Sequence, residues 1–332
     1  MSVVWVFLDG VGVGPDDPDV NPWARIEDPT LIAVEGRLPS WPGAIHKPLD
    51  ASLGVKGLPQ SATGTTALFT GVNAPELLGR HLSGFPVPKL LEIIAEHSVH
   101  KKAKVLGLRS TFANAFNEAY FRRPETRQSV TTHAVKAAGI PFRMMEDYRA
   151  GRAVFHDLTG ELIRIQGNHD KLQPPNGSKQ VVFKRFVRDP ETFSEYMAKE
   201  DLEVIDPAEA GRRIAGLVPE NDLVIFEYVK TDMAGHNQEM GWAEDVAREV
   251  MLFLRTLLSE LDPKRDTLLI ASDHGNCEDL SVKTHTVNPV AACAVGLDAH
   301  ALLDEAQAIT DLVPAVLKVL TGRSTFTSNI ES

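Results

Sequence analysis

Cysteine is almost absent: the 332 residues include only Cys277 and Cys293, with no CxxC spacing. That excludes a disulfide scaffold, and the expectation is two buried free thiols in a reducing compartment. No apolar run approaches the roughly 20 residues of a membrane-spanning helix. The amino terminus, MSVVWVFLDG, lacks a basic region and meets Asp9 after a few apolar residues. It therefore reads as neither signal peptide nor membrane anchor, and the expected location is cytoplasmic. Basic excess is lacking too. Lys+Arg 34 against Asp+Glu 45 gives a net charge of −11, which opposes binding to nucleic acid or to anionic membrane surfaces. A small anionic substrate would need a local reversal of that charge. There is no internal repeat and no low-complexity tract.

What is present is globular. Hydrophobic residues make up 43% and charged residues 24%, which rules out a disordered, collagenous or coiled-coil chain. A chain of 332 residues exceeds one average domain, so one large α/β unit or a core with an insertion is expected. Short apolar runs at Val3 to Leu8, Leu223 to Val229, Thr267 to Ala271 and Ala291 to Val295 read as strands buried on both faces. Helical spacing fills Pro88 to Val105, Pro207 to Leu217 (Asp206 as N-cap), Trp242 to Leu261 and Asp311 to Leu320. Strands alternating with helices predict an α/β fold with a mainly parallel sheet. From about Phe116 to Val204 the pattern loosens, with turns at Gly167-Asn168-His169 and Pro174-Pro175-Asn176-Gly177. Within it, Lys179 to Arg188 alternates like an exposed, charge-protected edge strand. Residues 1–115 with 205–332 are expected to form the core, and 116–204 an inserted cap.

Three apolar runs end alike. The first leads straight into Asp9, the second reaches Asp232 and then His236, and the third reaches Asp273 and His274; His285 follows in a Thr-His-Thr turn. In an open α/β sheet the carboxyl ends of strands line the ligand crevice. Aspartates converging there repel one another unless cations neutralise them, and carboxylate with imidazole suits Zn or Mn. Singly, each piece has a plainer explanation: Asp-His is common in surface turns, and Asp-x-x-x-His is a common solvated helical pair. Their shared position at strand ends is what points to a metal site. Pro59 to Gly71 reads as a loop entering a short helix, with Ser61 near its N-terminus, where an anion such as phosphate is favoured. The same residues would also make an ordinary Ser/Thr cap.

In order, Phe7-Leu8-Asp9-Gly10, Ser61-x-x-Gly64, Asp232-Met233-Ala234-Gly235-His236, Ser272-Asp273-His274-Gly275-Asn276 and His285-Thr286-Val287-Asn288-Pro289-Val290 resemble the alkaline phosphatase superfamily. They are most similar to the metal-binding half of its cofactor-independent phosphoglycerate mutase and phosphopentomutase branch. The resemblance implies a three-layer α/β/α core with a small inserted cap and two divalent metal ions, Mn or Zn. Asp232, His236 and His285 would hold one ion; Asp9, Asp273, His274 and the Ser61 hydroxyl would hold the other. It also implies that Ser61 is a nucleophile that becomes phosphorylated. The expected activity is then metal-dependent phosphoryl transfer on a small phosphate ester, as a phosphomonoesterase or a phosphomutase, with a phosphodiesterase as alternative. Thr65 stands where the mutases carry a histidine. The Pro-x-Arg pattern that follows a sulfatase nucleophile is missing after Ser61.

Arg80 and His81, in a loop after the Ser61 segment, suit substrate phosphate and proton transfer; Arg109, Ser129 and His133 are weaker candidates. Asn276, Glu278 and Thr284 suit orientation of the metal ligands. Two readings of other classes stand beside this one. Gly10-Val-Gly12-Val-Gly14 suggests a dinucleotide-binding turn, but Pro15, Pro18 and Pro22 oppose the helix that such a turn must open. A non-catalytic metal-binding relative would not require Ser61.

Overall fold

Alternate residues of the first strand, β1 (Ser2–Leu8), enter two different cores, although every one of them is buried. Val4, Val6 and Leu8 join one apolar cluster, while Val3, Trp5 and Phe7 join the other. The same split recurs in β6 (Leu223–Tyr228), β7 (Asp266–Ala271) and β8 (Val290–Gly296). A strand of period two that is apolar at both phases must be covered on both faces. Helices Pro207–Ala215 and Met240–Glu260 cover one face; Ser61–Thr70, Pro88–His97 and Leu312–Thr321 cover the other. The result is three layers, α/β/α. Each large apolar side chain sealed this way stabilises the fold by about 1.5–3 kcal/mol.

This computed structural model describes residues 1–26, 34–37, 41–161 and 203–322. The Lys179 to Arg188 segment and the turns at 167–169 and 174–177 lie outside the described residues. Six strands form the central sheet in the order β2-β8-β7-β1-β6-β3, where β2 is Ile45–Leu49 and β3 is Ser110–Phe112. β1 pairs in parallel with both β6 and β7, and β3 pairs in parallel with β6. β8 runs antiparallel to β7, and β2 antiparallel to β8. β4 (Ala115–Phe116) and β5 (Arg143–Met144) form a separate two-stranded pair. The helix Val130–Ala138 packs on Pro88–His97 and Val99–Val105, burying Val135 in the cluster beneath Trp5 and Phe7.

The single helix expected over Pro88 to Val105 is two helices, broken at Ser98. Ser98 leaves the helical region (φ −47°, ψ 134°), and its hydroxyl donates to the Ala134 carbonyl at 2.7 Å. A side chain that satisfies itself on a neighbouring element lets the backbone turn there. Gly10-Val-Gly12-Val-Gly14 opens no helix; the next helical residues are Pro22–Arg25. The dinucleotide reading thereby loses the helix N-terminus it needs. Cys277 and Cys293 are free and buried, and the Trp23 indole donates to Cys277 Sγ at 3.3 Å. Among the described residues no helix is long and apolar enough to cross a membrane.

Candidate metal centre

The carboxyl ends of β1, β6 and β7 deliver Asp9, Asp232 and Asp273 to one edge of the sheet. Asp9 N–H donates to the Tyr228 carbonyl at 2.9 Å, so the backbone following β1 stays registered with β6. Asp232 and His236 lie one turn apart on the helix Lys230–Asn237, with His236 Nε2 3.4 Å from Asp232 Oδ2. His285 arrives from the opposite chain direction: β8 is antiparallel, so the loop that precedes it lies at this same edge. Thr286 N–H, donating to the Gly275 carbonyl at 3.1 Å, secures that loop.

Ser61 opens the helix Ser61–Thr70, and no side chain caps it. The helix is buried almost throughout. Its threonines turn their hydroxyls inward, Thr66 Oγ1 donating to the Ala62 carbonyl and Thr70 Oγ1 to the Thr66 carbonyl, each at 2.6 Å. Gly64 makes the approach possible, because a Cβ there would stand 2.6 Å from the Asp273 carbonyl oxygen. The contact brings Ser61 Oγ to 3.0 Å from His274 Nε2.

Two groups of donor atoms converge at this edge: Asp232, His236 and His285, and Asp9, Asp232 and His274. In the first, His236 Nδ1 lies 3.1 Å from the Lys283 carbonyl and His285 Nδ1 2.9 Å from the Pro59 carbonyl. A carbonyl only accepts, so each Nδ1 carries a proton, and in a neutral ring that leaves Nε2 as the acceptor. Those two Nε2 atoms face each other at 3.2 Å, with Asp232 Oδ1 3.5 Å from His285 Nε2. Ligands about 2.0–2.1 Å from a tetrahedral ion stand about 3.3 Å from one another. Lone pairs and a carboxylate converging at that spacing repel unless a cation lies among them, so the donor set fits a divalent metal. In the second group, His274 Nε2 is 3.3 Å from Asp9 Oδ1; Asp273 lies beside that group, its Oδ1 3.7 Å from the same nitrogen. Both of those carboxylate oxygens are buried and accept no hydrogen bond.

Burial, with Asp232 and Asp273 close by, holds the Asp9 carboxyl well above the usual carboxylate range. Burial likewise raises Asp273. For His274 burial works downward, but Asp273, Asp9 and Asp232 override it and lift the imidazole to about 10. His285 goes the other way, to about 4, through burial and the adjacent His274. The two rings stack with centroids 3.8 Å apart, which a shared positive charge would oppose. One edge thus holds carboxylates short of cations and an imidazole that cannot supply another.

Two groups orient the carboxylates: Thr65, for which the sequence suggested no such role, and Asn276, for which it did. Thr65 Oγ1 donates to Asp273 Oδ2 at 2.6 Å, so the residue noted only as a departure from the mutase pattern steers that carboxylate. Asn276 Nδ2 donates to Asp232 Oδ1 at 2.6 Å and to the Asp232 carbonyl at 3.1 Å. The Arg80-His81 loop returns to the helix that Ser61 opens, Leu82 N–H donating to Thr63 Oγ1 at 3.1 Å; Arg80 is exposed there, and His81 Nε2 faces the Val55 carbonyl at 3.2 Å. Arg109 does not join the site. Its amide N–H donates to Asp222, which precedes β6, so Arg109 stands at the amino edge of the sheet. Ser129 caps the helix Val130–Ala138, and His133 Nε2 meets the Glu125 carbonyl at 3.0 Å.

Residues 191–320 match the metalloenzyme superfamily. The 2,3-bisphosphoglycerate-independent phosphoglycerate mutase of Dinoroseobacter shibae is 29% identical over 126 residues, which is 33% of this chain and 25% of that enzyme. The enzyme of the same name from Prochlorococcus marinus is 31% identical over 112 residues, 30% of this chain and 21% of that one. The match thus spans about a quarter or less of these relatives. Among solved structures, a Pyrococcus horikoshii protein aligns over 98% of both chains at a TM-score of 0.56 and 12% identity. The alkaline phosphatase of the Antarctic bacterium TAB5 aligns over 96% of this chain and 98% of its own, at 0.52 and 12%. At such identities these two likenesses establish the alkaline-phosphatase-like fold.

Proposed function

We propose that this chain, which resembles the alkaline phosphatase superfamily through its metal-binding half, is a two-metal phosphoryl-transfer enzyme. It acts on a small phosphate ester through phospho-Ser61. The observation that carries the reading is Ser61 Oγ, 3.0 Å from His274 Nε2, on the first residue of a buried helix facing two converging donor groups. Asp232, His236 and His285 would hold one ion; Asp9, Asp273 and His274, with the Ser61 hydroxyl, the other. Mn or Zn suits these mixed donors. Bound there, the pair would lower the hydroxyl pKa and neutralise the charge of a phosphate monoester.

The chain's own residues supply the rest. Ser61 Oγ forms the bond to phosphorus as the ester oxygen leaves, and the hydroxyl proton ends on that leaving oxygen. A second displacement, by water or by another hydroxyl of the substrate, restores Ser61. The acceptor separates a phosphomonoesterase from a phosphomutase. The helix N-terminus favours the phosphate anion, and Thr65 and Asn276 hold the Asp273 and Asp232 carboxylates in place.

The test is Ser61→Ala assayed on phosphomonoesters, diesters and mutase substrates, with mass analysis of the Ser61 peptide in the wild type. Turnover is expected to fall roughly 10⁴-fold or more, as for loss of other catalytic nucleophiles. Full activity in Ser61→Ala would sink the assignment.

A further inference from the structure

Gly12 and Gly14 have no part in the phosphoryl-transfer reading, and the fully buried carboxylate of Glu278 enters it only as a group suited to orient ligands, with no partner assigned. The two meet. Glu278 Oε2 accepts the Gly12 N–H at 2.9 Å and the Asn276 N–H at 2.7 Å. Glu278 Oε1 accepts the Thr286 hydroxyl and, at 3.1 Å, Asn288 Nδ2. A carboxylate offers about four lone-pair sites, and four donors fill them. Each donor belongs to a segment bearing a site residue: Gly12 follows Asp9, Asn276 follows His274, and Thr286 adjoins His285. Through its own side chain Asn276 extends the connection to Asp232.

The glycines are the space this carboxylate occupies. A Cβ on Gly12 or on Gly275 would stand 2.4 Å from Glu278 Oε1, and one on Gly14 2.5 Å from the Glu278 carbonyl oxygen. These are backbone positions left bare for a side chain that holds loops together.

We propose that Glu278 is a positioning residue, a carboxylate staple that fixes the loops of Asp9, His274 and His285 at the spacing in which they bind metal. The proposal rests on the metal-site reading above. It predicts that shape and acceptor geometry, rather than charge, are what Glu278 contributes. In Glu278→Gln the remaining oxygen serves one pair of donors. The Thr286 hydroxyl can rotate, and the Asn288 amide can flip, to accept from the new NH₂.

The experiment titrates Mn²⁺ or Zn²⁺ into chelator-stripped protein by calorimetry and records metal-free melting as a control. Glu278→Ala is expected to weaken metal binding roughly 10–100-fold, and Glu278→Gln to recover most of that loss. Leu257→Ala, a core truncation beneath the sheet, is expected to lower melting and leave metal affinity unchanged. If Glu278→Ala does not fold, Thr286→Val removes a single donor at similar volume and should weaken binding measurably. Wild-type affinity in Glu278→Ala or Thr286→Val overturns the staple, as does equal loss in the Ala and Gln variants. A wild type that takes up neither ion overturns the metal reading itself, and the staple with it.

Discussion

Two clusters of buried charge branch from one helix, Lys230–Asn237, and they are built on opposite plans. Lys230, 4% exposed, places Nζ 2.5 Å from Glu249 Oε2. Burial alone would lower its ammonium pKa, but Glu249 and Asp157 outweigh burial and raise it. Here the chain supplies anion and cation together. Two residues on, Asp232 joins Asp9 and Asp273 with the imidazoles of His236, His274 and His285 around them, and three carboxylates meet at one edge. The first cluster holds a cation of the chain's own, although Glu249 Oε1, like Asp9 Oδ1 and Asp273 Oδ1, accepts no hydrogen bond; the second gathers three carboxylates, and on the proposed reading a ligand of opposite charge completes it. That difference separates a structural ion pair from a binding site better than burial does.

The comparison breaks most visibly at Asp232, which belongs to both donor groups. Asp232→Asn should cost at least ~100-fold in metal affinity by calorimetry, with little loss of metal-free melting. If Asp232→Asn bound metal like the wild type, the two clusters would be alike after all. Lys230→Met should do the reverse. Stranding Glu249 without its partner should lower urea stability by about 3–5 kcal/mol, while metal affinity stays unchanged. Pairing it with Glu249→Leu should restore most of the loss, since an apolar pair of similar volume has no charge to strand.

Histidines sharpen the contrast through pH. The folded His274 pKa, about 10, lies above the unfolded value of 6.5. Its contribution is therefore full below pH 6.5 and lost as pH rises toward 10. Metal-free melting should fall across that window, by at most about 1.4 kcal/mol per pH unit. In metal-loaded protein the decline should vanish, and a decline that persists with metal bound would argue against ligation by His274. His100, buried on the helix Val99–Val105, is pushed by burial to about 3. It is neutral when folded but takes a proton when unfolded, so stability drops as pH falls below 6.5, by about 2 kcal/mol at pH 5. Replacing His100 with Gln should remove its share of that acid slope, leaving the share of His285, held at about 4, and the alkaline slope.

Much of this was legible in the chain. β1 and β7 are apolar runs that stop at Asp9 and Asp273, and in a doubly covered sheet the stop itself marks the crevice edge. Asp232 and His236 could be read as neighbours from their helical spacing alone. The edge strand β2 was not legible, because Lys47 and Pro48 break the apolar pattern; at an edge neither residue is a fault. Arg109 misled because a cation near the site in sequence says nothing about which edge of the sheet it occupies. Glu278 was visible as a candidate, and three of its partners lie within ten residues of it, but Gly12 lies 266 residues away in number, and no spacing rule connects the two.

The reversed direction of β8 has a consequence for how this protein can change. A parallel strand in that place would need a crossover of a dozen or more residues and would start from the far rim. Running it backwards makes the stretch between Ala271 and Val290 leave and return on one side. A connector thereby brings candidate ligands to one edge from both of its ends. Inserting a single residue at the start of β8 would turn its apolar faces over and drag His285 out of reach, so length variation should be tolerated elsewhere and scarcely there.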